Sequence, residues 1–130
     1  MKKKVTHRFE VNSDTWWSDL FFDPEYLEAL HIQGLRCRSF EVLALDRKSD
    51  GSVRQELQTE PAIVAPPVIR KAIGERVRYR EIGLFDPVRK CYDFQIIPST
   101  LGKAAKIAGT ISLQPHGEHA IDRICDLEFR

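Results

Sequence analysis

The feature that most constrains the fold is a long series of alternating segments between residues 36 and 130. In each segment apolar and polar residues alternate, which is typical of strands with one face on a core and the other in water. Short turn sequences join most of the segments, such as KSDG at 48–51, where Asp50-Gly51 is a hairpin signal. The series predicts about six antiparallel strands. In the first of them, RCRSFEVLALDRK, we expect a bulge near Ser39–Phe40, where the alternation slips.

A further strand and two short helices precede this series. KKVTHRFEV, at 3–11, alternates and predicts a half-buried strand. Cap-forming residues at 12–14 then begin a helix, and Asp23-Pro24 begins a second one that ends at Gly34. A long antiparallel meander must curl, and two short helices can cover only part of its concave face. The sequence therefore predicts an α+β fold with a curved antiparallel sheet of about seven strands.

The composition argues against several classes of protein. A chain of 130 residues fits one domain, and a net charge of +1 gives no electrostatic basis for binding nucleic acid or an anionic membrane. We recognise no signal peptide and no run near the ~18 apolar residues of a membrane span, so we expect a cytoplasmic protein without stable membrane insertion. Cys37, Cys91 and Cys125 are interpreted as buried free thiols. His116 and His119 are interpreted as part of a solvated turn, and we expect no metal and no cofactor.

Three polar residues interrupt apolar strand faces, namely His7, Glu81 and Arg123. A buried charge needs a partner, so an inward Glu81 and Arg123 are expected to pair with each other or with a polar group of a ligand. A position at the rim of the sheet, or a purely structural pair, is the alternative. Neither a nucleophile nor an oxyanion donor accompanies them, so we assign no catalytic residue.

Two adjacent tryptophans stand out among the aromatic residues, most of which we interpret as core. Trp16 and Trp17 lie on a predicted helix, where neighbouring side chains point about 100° apart. We therefore expect one ring to enter the core and the other to lie at a cavity mouth or an interface.

The order of the elements resembles that of the helix-grip fold. This is the START-related superfamily that includes the major birch pollen allergen, lipid-transfer START domains and polyketide cyclases, and the chain is most similar to a bacterial branch of it. Three segments carry the resemblance: FEVNSDTWWSDLFFDPEYLEAL after the first strand, PPVIRKAIG between the third and fourth, and REIGLFDPVRKCYDFQIIPS across the fourth hairpin. The resemblance implies one domain over residues 1–130. It also implies a long C-terminal helix gripped by the sheet, whereas this sequence stops in a strand pattern, so we expect the domain to lack that helix.

The segment PPVIRKAIG, at 66–74, has two interpretations. Its proline pair and its glycine are typical of the start and the end of a short helix between strands 3 and 4. The helix is either a plug that completes the core or a flap over the mouth of a cavity. As a flap, it would turn Ile69 and Ile73 towards a ligand.

The resemblance implies non-catalytic binding of a hydrophobic or lipid-like small molecule in the concave cavity of the sheet. Burial of apolar ligand surface would drive this binding, and inward polar groups would orient the ligand. A cyclase- or hydratase-type enzyme on the same fold and a protein-interaction module that uses the open groove are the alternatives. An uncovered groove also predicts a homodimer that closes it. The expected ligand-binding residues are His7, Trp16, Ile69, Ile73, Tyr79, Glu81, Phe94 and Arg123.

Overall fold

A computed structural model describes residues 2–34, 36–60, 78–99 and 107–129 of the chain. Seven strands form one antiparallel, curved sheet: β1 at Lys2–Phe9, β2 at Ser39–Arg47, β3 at Val53–Glu60, β4 at Tyr79–Asp86, β5 at Cys91–Pro98, β6 at Ile107–Pro115 and β7 at Ile121–Phe129. Their order across the sheet is β1-β7-β6-β5-β4-β3-β2. Strands β2 to β7 therefore lie side by side in chain order, and β1 pairs with β7. The predicted α+β class and strand number are confirmed.

Two short helical segments connect β1 to β2, as predicted. Segment α1 has an α-helical turn at Ser13–Thr15 and a π-helical turn at Trp16–Leu20, and segment α2 has an α-helical turn at Pro24–Glu28 and a π-helical turn at Ala29–Gly34. The predicted caps are present. Asn12 Oδ1 accepts a hydrogen bond from the backbone N–H of Thr15 at 2.8 Å, and Asp23 Oδ1 accepts one from that of Glu25 at 3.2 Å. These bonds satisfy backbone donors that have no partner within the first helical turn.

The predicted hairpin turn at 48–51 joins β2 to β3. Gly51 has a φ of 91°, in the left-handed region that glycine adopts without a steric penalty. Asp50 Oδ1 accepts a hydrogen bond from the backbone N–H of Ser52 at 2.8 Å. Together these features close the turn and set the register of the hairpin.

The bulge in β2 lies further along the strand than the sequence suggested. Ser39 and Phe40 pair regularly with β3, and the register shifts between Val42 and Ala44. Leu43 is the extra residue, and its side chain is 41% exposed. The prediction of a bulge at Ser39–Phe40 was wrong because a bulge is defined by the pairing of two strands, which alternation within one strand does not specify.

The core lies between α1 and one face of the sheet, which we call the inner face. This face carries the buried side chains of Val53, Phe85, Tyr92, Ile111 and Cys125. Aromatic rings of α1 pack onto it. Ring centroids are 4.7 Å apart between Trp16 and Phe21, and 4.6 Å apart between Trp17 and Phe85.

Both tryptophans belong to this core. Trp16 is 3% exposed and Trp17 is 7% exposed, so the prediction that only one of them enters the core was wrong. The short π-helical turn brings both rings to the sheet, since Phe21 stacks on Trp16 while Trp17 contacts Phe85. Trp17 also lines a cleft that is described below.

The three cysteines are free thiols, but they are not equally buried. Cys91 and Cys125 are buried, whereas Cys37 is only partly buried. The interpretation of three buried thiols is therefore correct for two of them. Burial raises the pKa of both the Cys91 and the Cys125 thiol above the ordinary value, which disfavours their reactive thiolate form.

Two further predictions concern helices, one at 66–74 and one about membrane spans. The helix expected at 66–74, with Ile69 and Ile73, lies outside the described residues. Among the helices that are described, none is both long enough and apolar enough to cross a membrane.

Candidate functional site

A hydrogen bond on the inner face joins two polar side chains from neighbouring strands. The Tyr92 hydroxyl on β5 donates to Glu81 Oε2 on β4 at 3.0 Å. The two residues are not directly opposite, because Tyr92 pairs with Phe85. The Tyr92 ring instead crosses Gly83, where a Cβ atom would overlap the hydroxyl group. The absence of a side chain at Gly83 is therefore what lets Tyr92 reach Glu81.

Burial changes the acid–base behaviour of both groups. The pKa of Glu81 is raised, chiefly because burial disfavours the carboxylate, although the Tyr92 hydrogen bond and the charge of Arg123 partly offset this. The pKa of Tyr92 is also raised, by burial first and then by the negative charge of Glu81. Tyr92 therefore remains a neutral donor, and Glu81 holds a proton to a higher pH than an exposed glutamate does.

Arg123 and His7 lie on the same face at the other edge of the sheet. They are directly opposite each other in the β1–β7 pair, as the resemblance implied for the first and last strands. His7 is exposed and Arg123 is partly buried. Within the described residues Arg123 forms no ion pair, and its charge acts at longer range on Glu81 and Cys125. Of the two expected arrangements, a direct pair of Glu81 and Arg123 is not formed in the described part of the chain: Glu81 is bonded to Tyr92, and β5 and β6 lie between the strands of Glu81 and Arg123. Pairing with a polar group of a ligand stays a prediction.

Gln55 on β3 belongs to the same polar group and was missed in the sequence. It is fully buried, opposite Gly83, and neither atom of its side-chain amide has a hydrogen-bond partner of good geometry among the described residues. It lies close enough to Tyr92 to lower the pKa of that hydroxyl. A signal was available, since Gln55 interrupts an apolar face between Val53 and Leu57 in the way that Glu81 interrupts its own strand.

The remaining predicted residues have different surroundings. Phe94 is buried, and its ring lies over Gly109 and stacks on Tyr92 with centroids 5.9 Å apart. Tyr79 is partly buried at the start of β4, opposite Pro98. The structure therefore brings Phe94 close to Glu81 through Tyr92, whereas Trp16 lies within the core.

Apolar surface that is not fully covered surrounds these polar groups. Eight large apolar side chains pack against the core but are only partly buried: Val5, Phe9, Val11, Leu20, Leu45, Ile96, Leu113 and Leu127. An apolar surface with a few polar groups can hold an amphipathic molecule in one orientation.

The opposite face of the sheet, the outer face, carries a cavity of about 1010 Å³. Its wall includes Lys2, Lys4, Asp93 and Asp126, so charges of both signs line it. Lys4 Nζ already lies 3.9 Å from a carboxylate oxygen of Asp126. This cavity does not include Glu81, Tyr92 or Arg123, and its charges favour water over an apolar ligand.

The two histidines predicted to lie in a solvated turn belong to the β6–β7 turn. His116 and His119 are exposed, and the Nδ1 atom of His116 is 3.3 Å from a guanidinium nitrogen of Arg8. In the described ranges no group of three or more histidine, cysteine, aspartate or glutamate side chains is arranged to hold a metal ion.

Comparison with known proteins gives a match in structure but not in sequence. No family model matches the chain, and no curated protein matches it. The Zhui aromatase/cyclase from Streptomyces sp. R1128 is 13% identical with a TM-score of 0.59, over 100% of this chain and 68% of that one. A START superfamily protein from Mycobacterium smegmatis is 18% identical with a TM-score of 0.58, over 99% and 76%. Norcoclaurine synthase from Thalictrum flavum, in complex with dopamine and hydroxybenzaldehyde, is 17% identical with a TM-score of 0.59, over 99% and 69%.

At these low identities the similarity establishes the fold alone. The chain has the helix-grip fold of START-related proteins, as the sequence implied. The fold by itself does not specify a ligand or a reaction.

Proposed function

We propose that the inner face of the sheet binds a hydrophobic or lipid-like small molecule and does not transform it. The observation that carries this proposal is the partly buried Glu81, bonded to Tyr92 at 3.0 Å within an incompletely covered apolar face. Polar groups in such surroundings are costly to bury, so their presence on this face favours a role in recognition. Arg123, which has no ion pair in the described part of the chain, supplies unused donors on the same face.

The apolar surface provides most of the binding free energy in this proposal. A ligand that buries roughly 300 Å² of apolar surface gains about 7 kcal/mol at ~25 cal/mol per Å². Association costs on the order of 4 kcal/mol or more, so the polar contacts decide orientation and selectivity. We place the polar end of the ligand between Glu81 and Arg123, and its apolar part along Phe94 and Leu127. His7 and Tyr79 are further proposed contacts at either side of this path.

Trp16 has an indirect role in this arrangement. Its ring lies in the core, 6.1 Å from the ring of Phe9, which is itself only partly buried on β1. Trp16 would therefore support a ligand-contacting residue instead of touching the ligand.

Mass spectrometry of the purified protein tests the proposal directly. Native spectra should contain a bound small molecule, and organic extraction should release an apolar compound from the protein. Titration with 1-anilinonaphthalene-8-sulfonate then measures the accessible apolar surface. We expect Arg123→Gln to weaken binding of this anionic probe several-fold. Arg8→Gln is the matched control, because it removes the same charge from the outer face of the neighbouring strand, where Arg8 binds Asp122 at 2.9 Å. No extracted compound, together with probe binding that Arg123→Gln leaves unchanged, would refute the proposal.

A cyclase- or hydratase-type enzyme is the second candidate function. The specific observation in its favour is the raised pKa of Glu81, which keeps a proton available for general acid catalysis beside Tyr92. Two of the structurally similar proteins are enzymes by name, an aromatase/cyclase and norcoclaurine synthase. Incubation of the extracted compound with fresh protein, followed by mass analysis, separates the two functions. A product that differs by gain or loss of water, and that Glu81→Gln no longer forms, would establish the enzyme.

A homodimer that covers the inner face remains a prediction. In that case a second copy would occupy the surface proposed for the ligand. Light scattering across a dilution series tests it, and a monomer at all concentrations would leave the small molecule as the occupant.

A further inference from the structure

A cleft of about 340 Å³ lies at the end of the core away from Glu81. Three aromatic side chains line it: Trp17 from α1, Phe22 from the turn that follows α1, and Phe85 from β4. Phe85 lies four residues beyond Glu81, which corresponds to about 13 Å along the strand. The cleft is therefore separate from the polar group on the inner face.

Two cationic side chains, Arg47 and Lys90, line the cleft beside these aromatic side chains. Arg47, at the end of β2, has its guanidinium carbon 6.0 Å from the centroid of the Phe22 ring, a distance at which cation–π attraction operates. Lys90 comes from the β4–β5 turn, where its backbone adopts a φ of 53°. Neither cation forms an ion pair with any residue in the described ranges.

One acidic residue also lines the cleft. Asp14, in the first turn of α1, is exposed and forms no ion pair within the part of the chain described here. The local charge is therefore two cations against one carboxylate, a net attraction for an anion. Arg89, which lies beside Lys90 in the β4–β5 turn, differs from Lys90 because its guanidinium lies 3.5 Å from a carboxylate oxygen of Asp93 and is already paired.

We propose that this cleft is a second binding site, which takes a small aromatic carboxylate. The ring of the ligand lies against Trp17, Phe22 and Phe85, and its carboxylate lies between Arg47 and Lys90. Aromatic edges carry partial positive charge and favour contact with the face of another ring. Cation–π attraction to the Phe22 ring favours the observed position of the Arg47 guanidinium. From this position the guanidinium can form charge-assisted hydrogen bonds with a carboxylate. A neutral ring of the same size would gain only the weaker apolar contact.

The two tryptophan indoles make this site directly measurable. Trp17 lines the cleft, so its indole signal in ¹H–¹⁵N spectra reports on binding there. The Trp16 indole nitrogen is buried and has no hydrogen-bond partner in the described part of the chain, so its signal serves as an internal reference. Trp17→Phe assigns the two signals. Sodium benzoate is the probe, and benzamide is the neutral probe of the same shape. We expect benzoate to shift the Trp17 signal saturably, with a dissociation constant on the order of 1 mM, because so small a ligand makes few contacts.

Three charge variants then test the proposed contacts. Arg47→Gln and Lys90→Gln should each weaken benzoate binding roughly threefold to tenfold, while Asp14→Asn should strengthen it roughly threefold. Arg89→Gln, in the same turn as Lys90, should change it by less than about twofold. All four positions are exposed, and the dispersion of the backbone amide signals checks that each variant is folded.

The opposite response of Asp14→Asn separates a specific site from a general loss of structure. Equal binding of benzamide and benzoate would overturn the proposal, as would a shift of Trp17 that does not saturate. Unchanged affinity in both Arg47→Gln and Lys90→Gln would do the same. Because the cleft excludes Glu81 and Arg123, Arg123→Gln should leave benzoate binding intact, so failure here is distinguishable from failure of the inner-face site.

Discussion

Replacement of Gln55 by leucine should make the protein more stable. Gln55 is fully buried on the inner face, and among the described residues neither its amide nitrogen nor its amide oxygen has a hydrogen-bond partner of good geometry. The folded state therefore bears the desolvation cost of both groups, which are hydrogen-bonded to water when the chain is unfolded.

The size of the gain follows from this cost. A buried polar group without a partner costs about 1–3 kcal/mol. Leucine is similar in size to glutamine and removes both orphaned groups, so we expect Gln55→Leu to raise the free energy of unfolding by about 1–3 kcal/mol. For a chain of this length each kcal/mol corresponds to roughly 4 °C, which predicts a rise in Tm of about 4–12 °C.

Urea denaturation and calorimetry measure this change. Gln95→Leu is the matched control, because Gln95 is exposed on the outer face of β5 and its substitution should alter stability by less than about 0.5 kcal/mol. The two variants have the same chemical change and differ in burial.

The opposite result would refute the reasoning. If Gln55→Leu lowers stability by more than ~1 kcal/mol, the amide must form a hydrogen bond in the folded protein, most simply with the neighbouring Tyr92 hydroxyl. A stabilised variant that also binds its ligand less well would indicate that Gln55 is retained for function.

Three further predictions concern the bond between Tyr92 and Glu81. Gly83→Ala should lower the free energy of unfolding by ~1–3 kcal/mol, because the added Cβ displaces the Tyr92 ring. Gly34→Ala is the control: its Cβ meets only an ordinary contact at 3.7 Å, so it should be nearly neutral in the same urea denaturation experiment. Tyr92→Phe should raise the pKa of Glu81 further, since the lost hydrogen bond favours the carboxylate; a carboxyl ¹³C titration that finds the pKa lowered would contradict this. Because the pKa of Glu81 is raised in the folded state, the folded protein binds the Glu81 proton more tightly than the unfolded chain, where the reference pKa is 4.5. The stability that comes from this proton is present at low pH and is lost as the pH rises through the folded pKa. Glu81→Gln should therefore gain stability relative to the parent between about pH 4.5 and neutral, and a difference that does not vary with pH would exclude this linkage.

Much of the fold followed from local patterns. Alternation predicted the strands, and the caps at Asn12 and Asp23 together with the Asp50-Gly51 turn marked where elements begin and end. These features act between residues that are close in sequence, so the sequence alone contains them. Alternation also assigned Glu81 and Arg123 each to the apolar face of its own strand, because side chains two residues apart on a strand point the same way. The apolar faces of all strands then form one face of the sheet.

The contacts within that face depended on the tertiary structure. Tyr92 reaches Glu81 only because β4 and β5 pair in a register that places Gly83 beneath its ring, and no property of either strand alone reveals this. The bulge at Leu43 likewise exists only in the pairing of β2 with β3.

What the sequence by itself determined was therefore which elements form and which side chains share a face. The tertiary structure alone decided that Gln55 is buried with no well-formed hydrogen bond to a described residue, that Glu81 bonds Tyr92 instead of Arg123, and that both Trp16 and Trp17 enter the core. The physical reason is range. Periodicity and capping are set by neighbours along the chain, whereas burial and hydrogen-bond choice depend on which side chains from distant strands come within about 3–4 Å of one another.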